Sequence, residues 1–331
     1  MKIVIRQCEL LCLLTGFIVA FENLSQADSW GTPREYHWSS NGKFVLRVDW
    51  KQGMLVFKER SVNGFQLRWK VPYPKDDKTI IPAPVEAYIT DNGQHVILRD
   101  QWHMVGYGKV LTFLGPDGKV VASYTLEQIL TQDEILSVRH TVSSIWWSSD
   151  ALFFFLNGQT QFAFITRRGT IRIFDVATGQ LLPLSPALKS AVYREAIKTA
   201  WRGAKCLNPH CRSKGAMFLG ILKDKASVPI LQQLLNDPNF CLLIYSGQRP
   251  QRIYTVQLAA GEALVSLLGP KAVPLLDAKL PGANRYMTLQ WIKLIERTGA
   301  AHQSRNLLKL LKSPDPEIRR AAQMALRRKV Q

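Results

Sequence analysis

At 331 residues, with 47% hydrophobic and 21% charged positions, the chain is too apolar for a disordered polymer and long enough for two domains that each bury a core. Its formal charge of +18 is unevenly placed: residues 28–184 hold 17 Lys and Arg against 15 Asp and Glu, whereas residues 185–331 hold 24 against 8. A net +16 confined to the C-terminal part points to an anionic partner for that part and excludes a uniformly basic surface.

Lys2 and Arg6 precede a twelve-residue apolar run from Leu10 to Phe21, and Ser25-Gln26-Ala27 then places small residues at the −3 and −1 positions of a cleavage site. That order reads as a secretory signal over 1–27. The run is shorter than the roughly 20 apolar residues of a membrane span. The mature chain is therefore expected to be exported, to the periplasm, the envelope or the medium, with no transmembrane span; the alternative is an anchor through an uncleaved N-terminal segment. Cys8 and Cys12 would leave with the signal, and Cys206, Cys211 and Cys241 would remain in an oxidising compartment.

Over 28–184 short β-rich runs alternate with turn dipeptides. The runs are 43–50, 53–59, 65–71, 85–90, 94–100, 109–115, 119–125, 151–156, 161–166 and 169–176. The separators are Asn41-Gly42, Asn63-Gly64, Asn92-Gly93, Asp117-Gly118 and Asn157-Gly158, which suit the positive φ angles of tight hairpins, so the order predicts an antiparallel meander. "SSNGKFVLR" (39–47) and "TDNGQHVIL" (90–98) form an internal repeat with a shift of 51, and 125–136 reads as one short helix on a connection. "GTIRIFDVATGQLLPL" (169–184) resembles the closing hairpin of a β-propeller blade. About 150 residues make three blades, short of the usual minimum of four, so an unclosed propeller-like meander is expected. The many Trp and Phe are expected to pack the sheets; the alternative is an aromatic platform for a glycan, with Trp146-Trp147 as its most suggestive pair because strand neighbours face opposite ways.

From 185 the period changes. "SVPILQQLLNDP" (227–238), "AVPLLDAKLPG" (272–282) and "QSRNLLKLLKSPDP" (303–316) are second helices whose last leucines, Leu235, Leu280 and Leu311, lie 45 and 31 apart. Each follows another apolar helix, at 215–223, 256–268 and 286–299, and 315–329 adds a final one. Val256, Ala260, Ala263, Leu264, Leu267 and Leu268 follow helical spacing, Gly269-Pro270 stops that helix, and Pro229 and Pro274 sit where helices begin. Asp315-Pro316-Glu317-Ile318-Arg319 followed by Ala321-Ala322 resembles the Asp-Pro, Val-Arg, Ala-Ala pattern of HEAT repeats, in particular the short HEAT-like class of phycobilisome lyases. The resemblance covers about 213–331, with 185–203 as an entry cap. It departs from the family at the insert 239–254 and at Arg305, where the other units have proline. It implies stacked helical hairpins with a concave face and a role in protein–protein or scaffold interaction, bilin lyases being the enzymatic exception. The fold class that follows is α+β in two domains: an N-terminal antiparallel β-meander (28–184) and a C-terminal α-solenoid of HEAT-like hairpins (185–331).

The surface expected to take an anionic partner is built from Arg202, Lys205, Arg212 and Lys214 near the domain joint and Arg320, Arg327 and Arg328 on the last helix. The resemblance gives Asp315 and Arg319 a structural role between repeats. "CLNPHC" lacks the second ligand pair of a zinc site, so a disulfide, Cys206–Cys211 or one to Cys241, is expected, with free thiols as the alternative. No nucleophile elbow, His-Glu-x-x-His, phosphate loop or dinucleotide fingerprint occurs, so no catalytic, cofactor or metal residue is named. The leading expectation is a non-enzymatic, exported interaction protein whose basic helical surface holds a protein or an anionic envelope component. The alternatives are a lyase or hydrolase with its site between the two domains, and nucleic-acid binding, which charge favours and export opposes.

Overall fold

The computed structural model describes residues 32–77, 79–141, 144–243 and 251–327; the expected export signal and Arg328 lie outside them. The chain divides into two compact units after Leu184, and it is α+β in two parts, with antiparallel sheets that do not close in the first and helical hairpins in the second.

The first unit is three successive up-and-down sheets. Strands β1 (Tyr36–Trp38), β2 (Phe44–Asp49), β3 (Met54–Ser61) and β4 (Gly64–Pro72) pair in order. So do β5 (Ile81–Ile89), β6 (Val96–Trp102), β7 (Leu111–Leu114) and β8 (Val120–Tyr124). The third sheet has β9 (Ala151–Leu156), β10 (Gln161–Thr166) and β11 (Ile171–Asp175), and its fourth strand is reduced to a single bridge between Phe174 and Leu181. Asn41-Gly42, Asn92-Gly93 and Asn157-Gly158 occupy the first hairpin of each sheet, with glycine φ angles of 68°, 67° and 63°. Asn-Gly supplies the left-handed conformation that such turns need. At Gly93 a side chain is also excluded by space, because a Cβ there would lie 2.3 Å from the Phe44 ring.

Period-two alternation decides which faces are covered. The cross-strand row His37, Leu46, Phe57 and Trp69 is buried. Leu98, Leu114, Val96 and Ala87 of the second sheet join that core, while Ile97, Leu111 and Phe113, pointing the other way, join Phe153, Phe162, Phe164 and Phe174 of the third. The second sheet is thus buried on both faces, and the aromatics of these two cores are packing residues, as the sequence suggests. The three first-hairpin turns converge on Asp91. Its carboxylate accepts from Ser40 Oγ at 2.7 and 2.8 Å, Asn41 N at 3.0 Å and Gln159 Nε2 at 2.8 Å. The shift of 51 in the sequence is therefore a true structural repeat, with a third copy at 157–159.

Segment 125–136 is two helices, not one: α1 (Leu126–Ile129) and α2 (Gln132–Ser137). Thr131 restarts the chain, its Oγ accepting from Glu134 N at 3.4 Å while its own N–H donates to Glu134 Oε2 at 2.8 Å. This reciprocal cap competes with helix continuation and wins.

In the second unit α3 (Pro186–Ala204), α4 (Pro209–Ile221), α6 (Thr255–Leu268), α8 (Arg285–Arg297) and α10 (Pro316–Arg327) pack one on the next. The shorter α5 (Val228–Leu234), α7 (Val273–Asp277) and α9 (Arg305–Leu310) return between them, so the order is that of stacked hairpins. Small residues set the spacing: Ala196, Ala200 and Ala204 of α3 are buried, and a Cβ on Gly215 of α4 would lie 2.2 Å from Ala204 N. The insert forms a hairpin of β12 (Cys241–Leu243) and β13 (Gln251–Ile253). Thr255–Asp277 is long and apolar enough to cross a membrane, but Gly269 breaks it into α6 and α7, and Val256, Ala260 and Leu264 lie in the core.

Candidate anionic-partner surface

Helix α4 begins six residues earlier than the sequence pattern places it. Asn208 caps it, accepting at 2.8 Å from His210 N, and Pro209 occupies the first turn. "CLNPHC" is therefore a helix start. Cys211 lies in the first turn and is exposed, Cys206 stays in the preceding turn, and no disulfide joins Cys206, Cys211 or Cys241. The expected Cys206–Cys211 bridge is not formed; Cys206 precedes the cap at Asn208 and Cys211 lies inside the helix. Among the described residues no cluster of three His, Cys, Asp or Glu could hold a metal.

The same turn explains Arg212. Its guanidinium donates to Asp237 Oδ2 at 2.7 Å and Oδ1 at 3.2 Å, and to the carbonyls of Cys206 and Leu207 at 2.8 and 2.5 Å. Arg319 repeats the geometry at the start of α10, bonding the carbonyls of Ser313 and Pro314, at the same offsets of six and five residues. Asn208-Pro209-x-x-Arg212 and Asp315-Pro316-x-x-Arg319 are one motif. Arg212, expected on the docking surface, is an internal clamp. The hydrogen bond to Asp237 raises its pKa; burial acts to raise that of Asp237, but the bonds from Arg212 and Asn239 prevail and hold it below the usual carboxylate range.

Most acids of this unit are consumed in the same way. Glu195 takes Lys198 at 3.2 Å and Arg202 at 2.6 Å, Asp315 takes Arg285 at 2.7 Å, Glu317 takes Arg285 as well, and Glu262 takes Arg297 at 3.6 Å. Arg202 is thus exposed but compensated. Lys205 is exposed and sits 5.0 Å over the Trp201 ring, and Lys214 is half-buried. Arg320 and Arg327, seven apart on α10, are both exposed and make no ion pair among the described residues. Lys189, Arg194, Lys271 and Lys293 are also exposed without one; sequence reasoning named none of these four. The uncompensated charge is spread along the solenoid rather than gathered at the two ends.

The first unit offers a cavity of 370 Å³ lined by Leu130, Val138 and Trp147 on its apolar side and by Glu134, Ser137, Asp150, Thr166, Arg167 and Arg168 on its polar side. Glu134 is already engaged by Thr131, Thr170 and Arg172; burial would raise its pKa, and these groups hold it low. The lining has no His or Cys to pair with Ser137, whose hydroxyl donates to Glu134 O at 2.6 Å. Trp147 is not a glycan platform: it is 1% exposed, and its Nε1 donates at 2.8 Å to the buried Asp100, whose carboxyl burial pushes up. Trp146 is half-buried.

No protein-family model and no curated protein matches the sequence. Among solved structures, BamB from Moraxella catarrhalis is 15% identical with a TM-score of 0.27, matching 45% of this chain and 34% of that one. The CpcE–CpcF complex of phycocyanin lyase from Nostoc sp. PCC7120 is 19% identical at 0.30, matching 44% of this chain and 65% of that one. HIRA(644-1017) is 13% identical at 0.30, covering 91% and 79%. The chain spans about a third of BamB and just under two thirds of the lyase chain. At these scores the likenesses are loose, and the fold rests on the chain's own strands and helices.

Proposed function

We propose that the chain is a non-enzymatic interaction protein whose helical unit, a stack of HEAT-like hairpins, docks an anionic partner, while the β unit is an unclosed stack of propeller-like blades. The observation that carries this reading is the charge ledger of the second unit: 24 Lys and Arg face 8 Asp and Glu, and five of the acids are tied to cations within the unit. Exposed cations such as Lys189, Arg194, Arg320 and Arg327 are then left to act outward. Export, read from residues 1–27, makes an acidic protein or an anionic envelope component the partner.

The test is binding of the full chain to immobilised poly-glutamate and to phosphatidylglycerol vesicles between about 0.1 and about 1 M salt, over which the Debye length falls from roughly 10 Å to roughly 3 Å. Binding at low salt that is lost across this range supports the reading. Absence of binding, or retention indifferent to salt, removes it.

A further inference from the structure

The first sheet has one covered face and one open face. Shifted by one residue from the buried row His37–Leu46–Phe57–Trp69, three cross-strand rows point away from the core: Tyr36–Arg47–Val56–Lys70, Trp38–Val45–Lys58–Leu67 and Lys43–Arg60–Phe65. Tyr36, Trp38, Phe65 and Leu67 are 48%, 51%, 45% and 59% exposed. The Trp38 and Phe65 rings meet at 5.6 Å with 64° between their planes, and Val45, next to Trp38 in its row, is only 4% exposed. An open sheet face that ends a stack is ordinarily polar; this one is aromatic.

The charge on this face is mainly of one sign. The three rows carry five cations and no acid, and the next row, Asp49–Met54–Pro72, adds one acid, Asp49, which is taken up by Arg47 at 3.6 Å. Lys43 is engaged by Glu59 at 2.9 Å, while Lys58, Arg60 and Lys70 make no ion pair among the described residues. We propose that this face binds an anionic polysaccharide of uronate type. Sugar rings present flat C–H faces that pack on the negative faces of Tyr36 and Trp38, and their carboxylates pair with Lys58, Arg60 and Lys70. Four strands at about 4.8 Å give roughly 14 Å of platform, enough for about two or three sugar rings.

The other occupants fit less well. A second copy of this chain, docked through a two-fold axis, would set the same three cations against one another. Single-stranded nucleic acid stacks successive bases parallel, and two rings at 64° cannot both serve consecutive coplanar bases, whereas sugars joined by a glycosidic bond turn relative to one another.

The experiment titrates the full chain with hexagalacturonate, with neutral cellohexaose and with a deoxythymidylate dodecamer. Hexagalacturonate is expected to saturate, with cellohexaose at least about tenfold weaker. Trp38→Ala and, separately, Lys58→Glu with Arg60→Glu are each expected to weaken it about tenfold or more. All three positions are surface-facing, and circular dichroism of both variants checks that the fold is kept, the charge variant retaining every aromatic. No saturation, equal affinity for cellohexaose, preference for the dodecamer, or binding that survives both variants overturns the proposal. Loss of hexagalacturonate binding in Arg320→Glu with Arg327→Glu, but not in Trp38→Ala, assigns the sugar to the helical unit and overturns it as well, leaving the helical docking reading untouched.

Discussion

Arg212 and Asp237 lie 25 residues apart and meet through two hydrogen bonds of 2.7 and 3.2 Å, with side chains only 12% and 6% exposed. The same guanidinium closes on the carbonyls of the preceding turn, so one side chain fixes the start of α4 and the Asp-Pro joint that follows α5.

Removing it strands a nearly buried carboxylate. Arg212→Ala is expected to destabilise the helical unit by about 2–4 kcal/mol, toward the range for breaking a buried pair. Arg202→Ala, which breaks the exposed pair with Glu195, is expected to cost under about 1 kcal/mol. Chemical denaturation followed by helical circular dichroism at both variants checks the contrast; equal losses would show that the clamp is no more than a surface pair.

The pair also sets a pH dependence. The folded Asp237 has its pKa lowered relative to the unfolded chain, so its contribution is present above the unfolded carboxylate value of about 3.9 and is lost as pH falls through the folded value. Asp315, held low by Arg285, has the same sign. The helical unit is therefore expected to lose stability below about pH 4, and Asp237→Asn is expected to flatten that decline. Denaturation midpoints at pH 7, 4 and 3 for both proteins measure it; a parallel decline in the variant assigns the acid sensitivity elsewhere.

Local chemistry was legible in the sequence and long-range partnership was not. Asn41-Gly42, Asn92-Gly93 and Asn157-Gly158 announce hairpins because two residues suffice to specify the turn. The change from period two to helical spacing near 185 reads equally well, being a property of a short window. Strand β1 escaped, since Tyr36-His37-Trp38 is only three residues long, although exposed, buried, exposed is a strand pattern. Asn208-Pro209 escaped because the two cysteines around it drew a redox reading; its match to Asp315-Pro316, each with Arg three residues on, was the available signal. That Arg212 is a clamp while Arg320 has no ion pair among the described residues depends on which acid arrives from a distant part of the chain, 25 residues away for Arg212, and no local window contains that.

In the β unit Asp91 is the meeting point of three turns, and Asp91→Ala leaves Ser40, Asn41 N and Gln159 without their acceptor. The expected loss is about 2 kcal/mol, a fall of roughly 4–8 °C in the midpoint of that unit. Seven of the nine Trp lie before residue 184, so tryptophan fluorescence reports the β unit while helical circular dichroism reports the other. A shift in fluorescence alone is the expected result; an unchanged fluorescence midpoint would mean that the turns do not depend on their shared carboxylate.

The docking reading makes a quantitative demand on α10. Arg320 and Arg327 are two turns apart on one exposed face, and neither pairs with an acid among the described residues. Their reversal, Arg320→Glu with Arg327→Glu, changes the unit's charge by four without touching a buried residue, so the fold is expected to stay within about 0.5 kcal/mol. Attraction to an anionic vesicle depends on the summed field, and each basic group near such a surface contributes about 1 kcal/mol at modest salt. The double reversal is thus expected to weaken binding to phosphatidylglycerol vesicles by well over about tenfold at low salt and to shrink the salt dependence. Arg212→Ala, which removes one charge from inside the clamp, serves as the comparison: if it weakens binding as much as the double reversal while α10 proves neutral, the partner is held by the repeat joints and not by the charge along the outer helices.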